Sequence, residues 1–194
     1  MQLNRATFYR PVAAGLLLVL WGCGGSSGLV PGSVGVPIET ALAPLDTSLL
    51  SVGPAPSCVE VGQPGTSVHR SMFEALNLYR RQNGLDPLTY SKSLERAENA
   101  HVRDLWERNF FDHVNPDGFR PGDRALEAGF CHEFVGENIA AGQVSVEAVM
   151  DSWKNSPDHD ENMLHPDFAY VGMGFFLDPT GRPYWGQLFA FDLP

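Results

Sequence analysis

Apolar residues recur every three or four positions through the first part of the globular segment, a spacing that is typical of amphipathic helices. Met72, Leu76 and Tyr79 lie on one face of a first predicted helix. Ser67 is expected to cap that helix, and Gly84 is expected to end it. The start of the domain is therefore predicted to be helical.

The same periodicity predicts further helices along the chain. Ser91 caps a second helix that runs to about Asn109, and a short third helix covers residues 121–128. Ser145 caps a fourth, and Ser156 followed by proline is a plausible start of another turn of helix.

The end of the chain follows a different pattern. Residues 170–177 and 184–191 are rich in aromatic and apolar side chains, and Asp-Pro-Thr-Gly at 178–181 lies between them. This arrangement predicts a β-hairpin. Helices followed by paired antiparallel strands indicate an α+β fold with the helices packed on the sheet.

The first residues are predicted to be a targeting signal rather than part of the fold. Arg5 and Arg10 precede an unbroken apolar run at residues 11–21, which is shorter than the ~20 residues that a membrane-spanning helix needs. Residues 1–22 are therefore predicted to be an export signal peptide. The run ends in glycine before Cys23, which resembles a bacterial lipoprotein box. Lipid on Cys23 would anchor the chain stably; the alternative is ordinary cleavage nearby, with a free Cys23.

A tether is predicted between this anchor and the domain. Half of the residues from 24 to 57 are Gly, Pro or Ser, and such a composition buries too little surface to offset chain entropy. Residues 23–65 are thus expected to hold a domain, 66–194, away from the membrane. Gly24 after the lipidated cysteine favours the outer membrane, if one is present.

Three cysteines give a simple count. If Cys23 carries lipid, an even pair remains in an oxidising compartment, where disulfides persist. We expect Cys58 and Cys131 to form a disulfide; the alternative is two unpaired thiols.

The charge narrows the choice of partners. The chain carries a net charge of −10, and loss of the signal removes two basic residues and no acid, which gives −12. This balance argues against nucleic acid and against electrostatic docking on anionic lipid. The membrane contact that we expect is the lipid on Cys23, and we expect a monomer.

Three short blocks bring one imidazole or carboxylate each next to turn-forming and capping residues. They nominate His113, Glu137 and His159 as one polar cluster. Each has a simpler interpretation: His113 can hydrogen-bond its own loop, Glu137 can pin a neighbouring loop, and His159 can be a surface residue. A histidine near a helix N-terminus is favoured as neutral imidazole, which suits metal ligation or general-base work. The blocks are FFDHVNPDGFRPGDR (110–124), VGENIA (135–140) and WKNSPDHDENML (153–164).

The sequence contains no His-Glu-x-x-His or Cys-x-x-Cys metal motif and no Gly-x-Ser-x-Gly nucleophile elbow. Ser152 and Ser156 have no elbow around them. His101 falls on the apolar stripe of the second helix and His69 lies near the start of the first, so both are predicted to be packing or surface residues.

Taken in order, the blocks resemble the CAP superfamily, whose domain is also called SCP. The resemblance covers roughly residues 68–191 and implies an α-β-α sandwich, with a small antiparallel sheet between helical layers and a central cleft. In the family, two histidines and two glutamates line the cleft and can hold a divalent cation. His113, Glu137 and His159 match three of these places, and Ser156 stands at the fourth. The matching motifs are Phe111-x-His113, Gly136-Glu-Asn-Ile-Ala140, Trp153-x-x-Ser-Pro-x-His159 and Val171-Gly-x-Gly174.

Two functions from different classes follow from this resemblance. The first is a non-enzymatic binding module of the cell envelope that takes a lipid, small-molecule or envelope ligand and holds a weakly bound divalent cation, with zinc favoured. The second is a metal-assisted hydrolase of peptide or envelope substrates, in which His113, Glu137 and His159 are also the candidate catalytic residues. The absence of a nucleophile motif and the long tether favour the binding module.

Overall fold

The structure is a computed structural model that describes residues 5–8 and 59–192. It contains five helices and five strands within these ranges. The helices are α1 (Ser67–Gln82), α2 (Lys92–Glu107), α3 (Pro121–Glu127), α4 (Val146–Lys154) and α5 (Pro157–Met163). The strands are β1 (Arg5–Phe8), β2 (Thr89–Tyr90), β3 (Val135–Ala141), β4 (Phe168–Leu177) and β5 (Pro183–Phe191).

Helix starts follow the expected capping chemistry with one correction. Ser91 and Ser145 cap α2 and α4, and each side chain accepts a backbone N–H from three residues further on. For α1, the prediction of Ser67 as the cap is wrong by one residue. Thr66 has the extended backbone of a cap and accepts the N–H of His69, so Ser67 is already helical.

Helix ends differ slightly from the prediction. α2 ends at Glu107, two residues before the expected Asn109, because Asn109 adopts a left-handed backbone with a φ of 53°. α3 ends at Glu127, just before Gly129, whose φ is 86°. A left-handed backbone conformation just after a helix ends the helix, and glycine and asparagine adopt this conformation most readily.

The sheet has the strand order β1-β3-β5-β4-β2. The predicted hairpin is confirmed as β4 and β5, which pair antiparallel, and β3 pairs antiparallel with β5 on its other side. The two-residue strand β2 pairs parallel with β4, so the sheet is not purely antiparallel as expected.

The sheet lies between two helical layers, which confirms the sandwich. Side chains of β5 alternate between the layers, and every residue from Pro183 to Ala190 is buried. On one face Phe189 packs in a core with Met72 of α1 and Val149 of α4. On the other face Leu188 packs with Leu94 of α2 and Ala125 of α3.

Helix α2 lies unusually close to the sheet because three strand positions are glycine. A Cβ atom on Gly172 would overlap backbone atoms of α2, and one on Gly186 would overlap Oε1 of Glu98. A Cβ atom on Gly174 would lie 2.7 Å from Cγ of Glu98. These glycines let α2 place the Glu98 side chain directly over the sheet.

The predicted N-terminal features are largely untested by the structure. Arg5–Phe8, within the predicted signal peptide, pairs with β3 as an edge strand. The rest of that segment lies outside the described residues, as do Cys23, Cys58 and almost all of the tether. Cys131 is half-buried, and its pairing with Cys58 stays a prediction. Among the helices of the described residues, none is long and apolar enough to cross a membrane.

Candidate functional site

His113 lies on the loop after α2, as predicted, and is only 3% exposed. The loop is stiff because the side chain of Asn115 accepts the backbone N–H groups of Asp117 and Phe119. Arg124 of α3 adds to this by donating from Nη1 to the carbonyl oxygens of His113 and Phe119. The His113 imidazole is therefore held in place by the hydrogen bonds of its own loop and by the Arg124 guanidinium, which bonds the His113 carbonyl.

Glu137 of β3 is the centre of the site. Its carboxylate is completely buried, with Oε2 2.6 Å from Nδ1 of His113 and Oε1 accepting from Nη2 of Arg124. Nε2 of His101 lies 3.8 Å from the same Oε2. Burial by itself would raise the pKa of Glu137, but Arg124 and the rings of His101 and His113 hold that pKa well below its usual range. Glu137 is thus an ionised carboxylate in the interior.

An ionised carboxylate can only accept hydrogen bonds, so it fixes the orientation of the His113 ring. Nδ1 of His113 must carry a proton to donate to Glu137. Nε2 of His113 is buried and has no hydrogen-bond partner among the described residues. This nitrogen is the atom of the ring that remains for a ligand.

Glu98 of α2 brings a second carboxyl group into the same space. It is fully buried, and it lies close enough to Glu137 for the two carboxyl groups to interact electrostatically. Burial first, and then the negative charge of Glu137, raise the pKa of Glu98 well above its usual value. Neither oxygen of Glu98 has a hydrogen-bond partner among the described residues. A proton held on Glu98 leaves one negative charge rather than two in this buried space.

His101 completes the buried group on α2, one turn from Glu98. Burial lowers its pKa to about 4, although the charge of Glu137 opposes that shift. Its ring packs edge-on against Phe110, with ring centroids 5.8 Å apart. His101 is therefore a neutral ring at neutral pH that combines packing with a polar contact to Glu137.

His159 approaches the site from the other side of the sheet. It is 1% exposed and lies in the first turn of α5, where Nδ1 is 2.6 Å from the hydroxyl of Ser156. Asn138 donates from its side chain to the His159 carbonyl, and the side chain of Asn162 donates to Asn138. Successive strand residues face opposite layers, so Asn138 faces α5 while Glu137 faces α2. The expected start of a helix at Ser156 is confirmed.

Direct contact joins two members of the predicted cluster, His113 and Glu137. The third, His159, is held on α5 by Ser156 and by Asn138. A single cleft shared by all three residues stays a prediction. Within residues 5–8 and 59–192, no group of three or more His, Cys, Asp or Glu side chains is positioned to hold a metal ion.

Sequence reasoning missed three residues that contact or neighbour Glu137: Glu98, His101 and Arg124. One signal could have found the first two. Glu98 and His101 are three residues apart on the helix face that also carries Leu94 and Leu105, and a charged residue on an apolar face needs a partner. Arg124 had no such signal, since its partner is brought to it only by the packing of α3 on β3.

The fold and this site define a class: an α-β-α sandwich with a buried histidine–glutamate pair at one side of its sheet. The chain belongs to the CAP family, described as the cysteine-rich secretory protein family, whose model matches residues 73–189. The sequence-based assignment to this family is confirmed.

Two relatives from Bacillus subtilis (strain 168) match in sequence. The uncharacterized protein YkwD is 34% identical over 110 residues, which is 57% of this chain and 43% of that protein. The uncharacterized membrane protein YlbC is 28% identical over 124 residues, covering 64% of this chain and 34% of that protein. The chain thus spans less than half the length of either relative.

Two solved structures share the fold. An extracellular protein containing an SCP domain from Bacillus anthracis str. Ames is 26% identical, with a TM-score of 0.59, and the match covers 64% of this chain and 40% of that chain. An outer surface protein from Borrelia burgdorferi has a TM-score of 0.61 at 19% identity, and the match covers 69% of this chain and 99% of that chain. The second similarity shows the fold alone.

Proposed function

We propose that the protein is an exported, non-enzymatic binding module of the bacterial cell envelope, held there by lipid on Cys23 and a flexible tether. The observation that carries the first part is that the protein itself engages Glu137. Both of its oxygens are engaged, one by Arg124 and one by His113. A general base needs a free lone pair directed at its substrate, and here the carboxylate is directed at the protein.

In this proposal a divalent cation is a ligand of the site rather than its catalyst. Nε2 of His113 fits a metal because the ionised Glu137 fixes the proton on the opposite ring nitrogen. His159 would supply the second imidazole, and Glu137 would act from behind His113 instead of binding the metal itself. Imidazole suits zinc better than magnesium. With so few ligands, we expect micromolar or weaker affinity.

Titration calorimetry with zinc tests the cation site. His113→Ala and His159→Ala should each abolish measurable zinc binding, because each removes one of only two imidazoles. The matched control is His132→Ala, which removes a half-buried ring that is bonded to the Phe191 carbonyl outside the site. Equal affinity in the wild type and all three variants would rule out this metal site.

An unbiased peptide-cleavage screen on the zinc-loaded protein tests the non-enzymatic part. The expected result is no cleavage above that of the His159→Ala variant. Cleavage that depends on both zinc and His159 would establish the metal-assisted hydrolase instead.

Anchoring and the disulfide are tested separately. The Cys23→Ala variant should move to the soluble fraction or stall in processing, and unchanged size and membrane association would disprove lipidation. Mass mapping of non-reduced peptides should find Cys58 linked to Cys131, since an exported chain with one lipidated cysteine leaves this pair. Two alkylatable thiols in freshly isolated protein would remove that link.

A further inference from the structure

The two edges of the sheet are protected unequally. One edge is β2, which is only two residues long and whose Tyr90 carbonyl accepts the N–H of Gly62. The other edge is β1, which covers β3, so β3 becomes the edge strand when residues 1–22 are removed. An uncovered strand presents a row of unpaired N–H and carbonyl groups to another chain. Removal of the signal from the exported chain therefore creates a new strand edge.

β3 lacks the features that usually keep an edge strand from pairing. Its seven residues include neither lysine nor proline, and it pairs with β5 without a bulge from Val135 to Ala141. Its one charged residue, Glu137, is buried and neutralised by Arg124. A long strand of this composition is suited to take up one more strand from a partner.

Strand β1 shows how an extended segment fits this edge. Four consecutive residues pair antiparallel with β3, from Arg5 opposite Ile139 to Phe8 opposite Gly136. Helix α5 also contacts β1, so the edge offers a second surface beside the backbone of β3. Backbone hydrogen bonds of this kind give affinity for an extended peptide, and the side chains at alternate positions give specificity.

The register selects the side chains of such a peptide. Residues opposite each other in an antiparallel pair have their side chains on the same face of the sheet. Gly136 contributes no side chain, and the residue opposite it is the aromatic Phe8, whereas the residue opposite Asn138 is the small Ala6. An aromatic side chain across from a strand glycine stabilises the pairing. The strongly negative charge of the processed chain favours a peptide that also carries positive charge.

We propose that the edge of β3 in the processed protein binds an extended segment of an envelope protein, which pairs antiparallel with residues 136–139. The segment has a small residue opposite Asn138 and an aromatic residue opposite Gly136. Before processing, β1 occupies this edge. The inference rests on the proposed export and removal of residues 1–22, and it does not depend on the cation site, because it uses the backbone of β3 rather than the imidazoles of His113 and His159.

The test is a fluorescence-polarisation titration, without added zinc, with a labelled peptide of residues 4–10, NRATFYR. Cell-free synthesis leaves the signal in place and supplies the full chain as the wild type and as a double variant, Ala6→Pro with Thr7→Pro. Adjacent strand residues direct their N–H groups to opposite sides, so one of the two prolines removes a bond to β3. The double variant should bind the peptide about tenfold more tightly than the wild type, because its own β1 no longer competes. Equal binding, or no binding by the double variant, would overturn the proposal.

Peptide variants test the backbone and the side chains separately. A peptide with prolines at the same two positions keeps its charge and should bind the double variant about tenfold more weakly. The Phe8→Ala peptide should bind about threefold more weakly, in keeping with the loss of one cross-strand pair. A proline peptide that binds as tightly as the original would show attraction by charge alone and would overturn strand pairing. A Phe8→Ala peptide that binds as tightly would overturn the preference for an aromatic residue.

Hydrogen exchange locates the bound peptide. Alternate residues of β3 direct their N–H groups to β5 and to the edge, so the peptide should slow exchange at every second amide of residues 136–139 in the double variant. Amides of β4 and β5 should stay protected throughout, which shows that the sheet is intact. Protection of the edge amides without peptide would mean that the tether or, in a dimer detected by sedimentation, a second copy covers the edge, and would overturn the proposal.

The processed form supplies the last comparison. The chain that begins at Cys23 should bind the peptide as tightly as the double variant does, and binding no tighter than that of the full wild-type chain would overturn the proposal. A negative result here leaves the zinc and anchoring experiments unaffected, so this inference and the proposed function fail separately.

Discussion

Two glutamates one turn apart on α2 have opposite protonation behaviour. Glu95 is 7% exposed and accepts hydrogen bonds from the Gly65 backbone N–H at 2.9 Å, from the Tyr90 hydroxyl at 2.5 Å and from Lys92. Burial raises the pKa of Glu95, but these partners outweigh burial and the pKa falls below its usual value. Glu98, three residues later, has the carboxylate of Glu137 as its neighbour, and its pKa is raised.

The comparison shows that partners decide which buried carboxylate is charged. Burial opposes ionisation of Glu95, Glu98 and Glu137 alike. Glu95 and Glu137 each have a cation in contact, Lys92 and Arg124 respectively, and both are ionised. Glu98 is left beside an anion and keeps its proton, which avoids repulsion between two buried negative charges.

The largest change in stability should come from removing Arg124, the cation that contacts Glu137. Arg124→Met leaves Glu137 buried without its guanidinium, and we expect a loss of about 3–5 kcal/mol in the free energy of unfolding. Urea unfolding measures this value. The control is Arg96→Met, which breaks the exposed Arg96–Glu60 pair and should cost less than about 1 kcal/mol. Similar losses in both variants would mean that Glu137 does not depend on Arg124 for its charge.

A smaller loss of stability is expected when the charge of Glu95 is removed. Glu95→Gln keeps the shape but removes the charge that accepts from Lys92 and Tyr90, and hydrogen bonds to charged groups contribute about 1.5–3 kcal/mol. The loss should be measurable by urea unfolding at pH 7. A neutral outcome would show that the contacts of Glu95 do not require an ionised carboxylate.

The smallest change is expected for Glu98→Gln, because a protonated carboxyl group and an amide are both uncharged and nearly equal in size. We expect a change within about 1 kcal/mol, the value of one ordinary hydrogen bond. A loss as large as that of Glu95→Gln would contradict a neutral Glu98. Measuring Glu95→Gln and Glu98→Gln together compares the same substitution at two positions of one helix.

The stability contributed by Glu95 and the stability contributed by Glu98 should change with pH in opposite directions. The raised pKa of Glu98 means that native protein keeps a proton that the unfolded chain loses above about pH 4.3. Wild-type stability is therefore lost as pH rises toward the folded pKa, and Glu98→Gln should gain on the wild type with rising pH. Glu95 has a lowered pKa, so its contribution is present above about pH 4.3 and is lost as pH falls. Glu95→Gln should therefore lose ground as pH rises to about 4.3 and stay level with the wild type's trend above that pH. Parallel trends for the two variants in unfolding experiments between about pH 2 and about pH 8 would refute the assignment.

Local patterns predicted most of the elements of the fold. Ser91 and Ser145 were recognisable as caps because capping is decided within one turn of helix, and the hairpin was recognisable from its turn residues. The strands β2 and β3 were not predicted. β3 is buried on both faces, so Val135–Ala141 lacks the alternation that marks a half-exposed strand, and β2 is only two residues long.

The sequence by itself determined the export and anchoring predictions, the family, and the nomination of His113 and Glu137, since each depends on residues that are close along the chain. Tertiary structure alone decided which groups surround Glu137. Glu98 and His101 reach it because Gly174 and Gly186 let α2 approach the sheet, and Arg124 reaches it because α3 packs beside β3. The protonation of each buried group depends on charges a few ångströms away in space, and those neighbours are set by packing rather than by position in the chain.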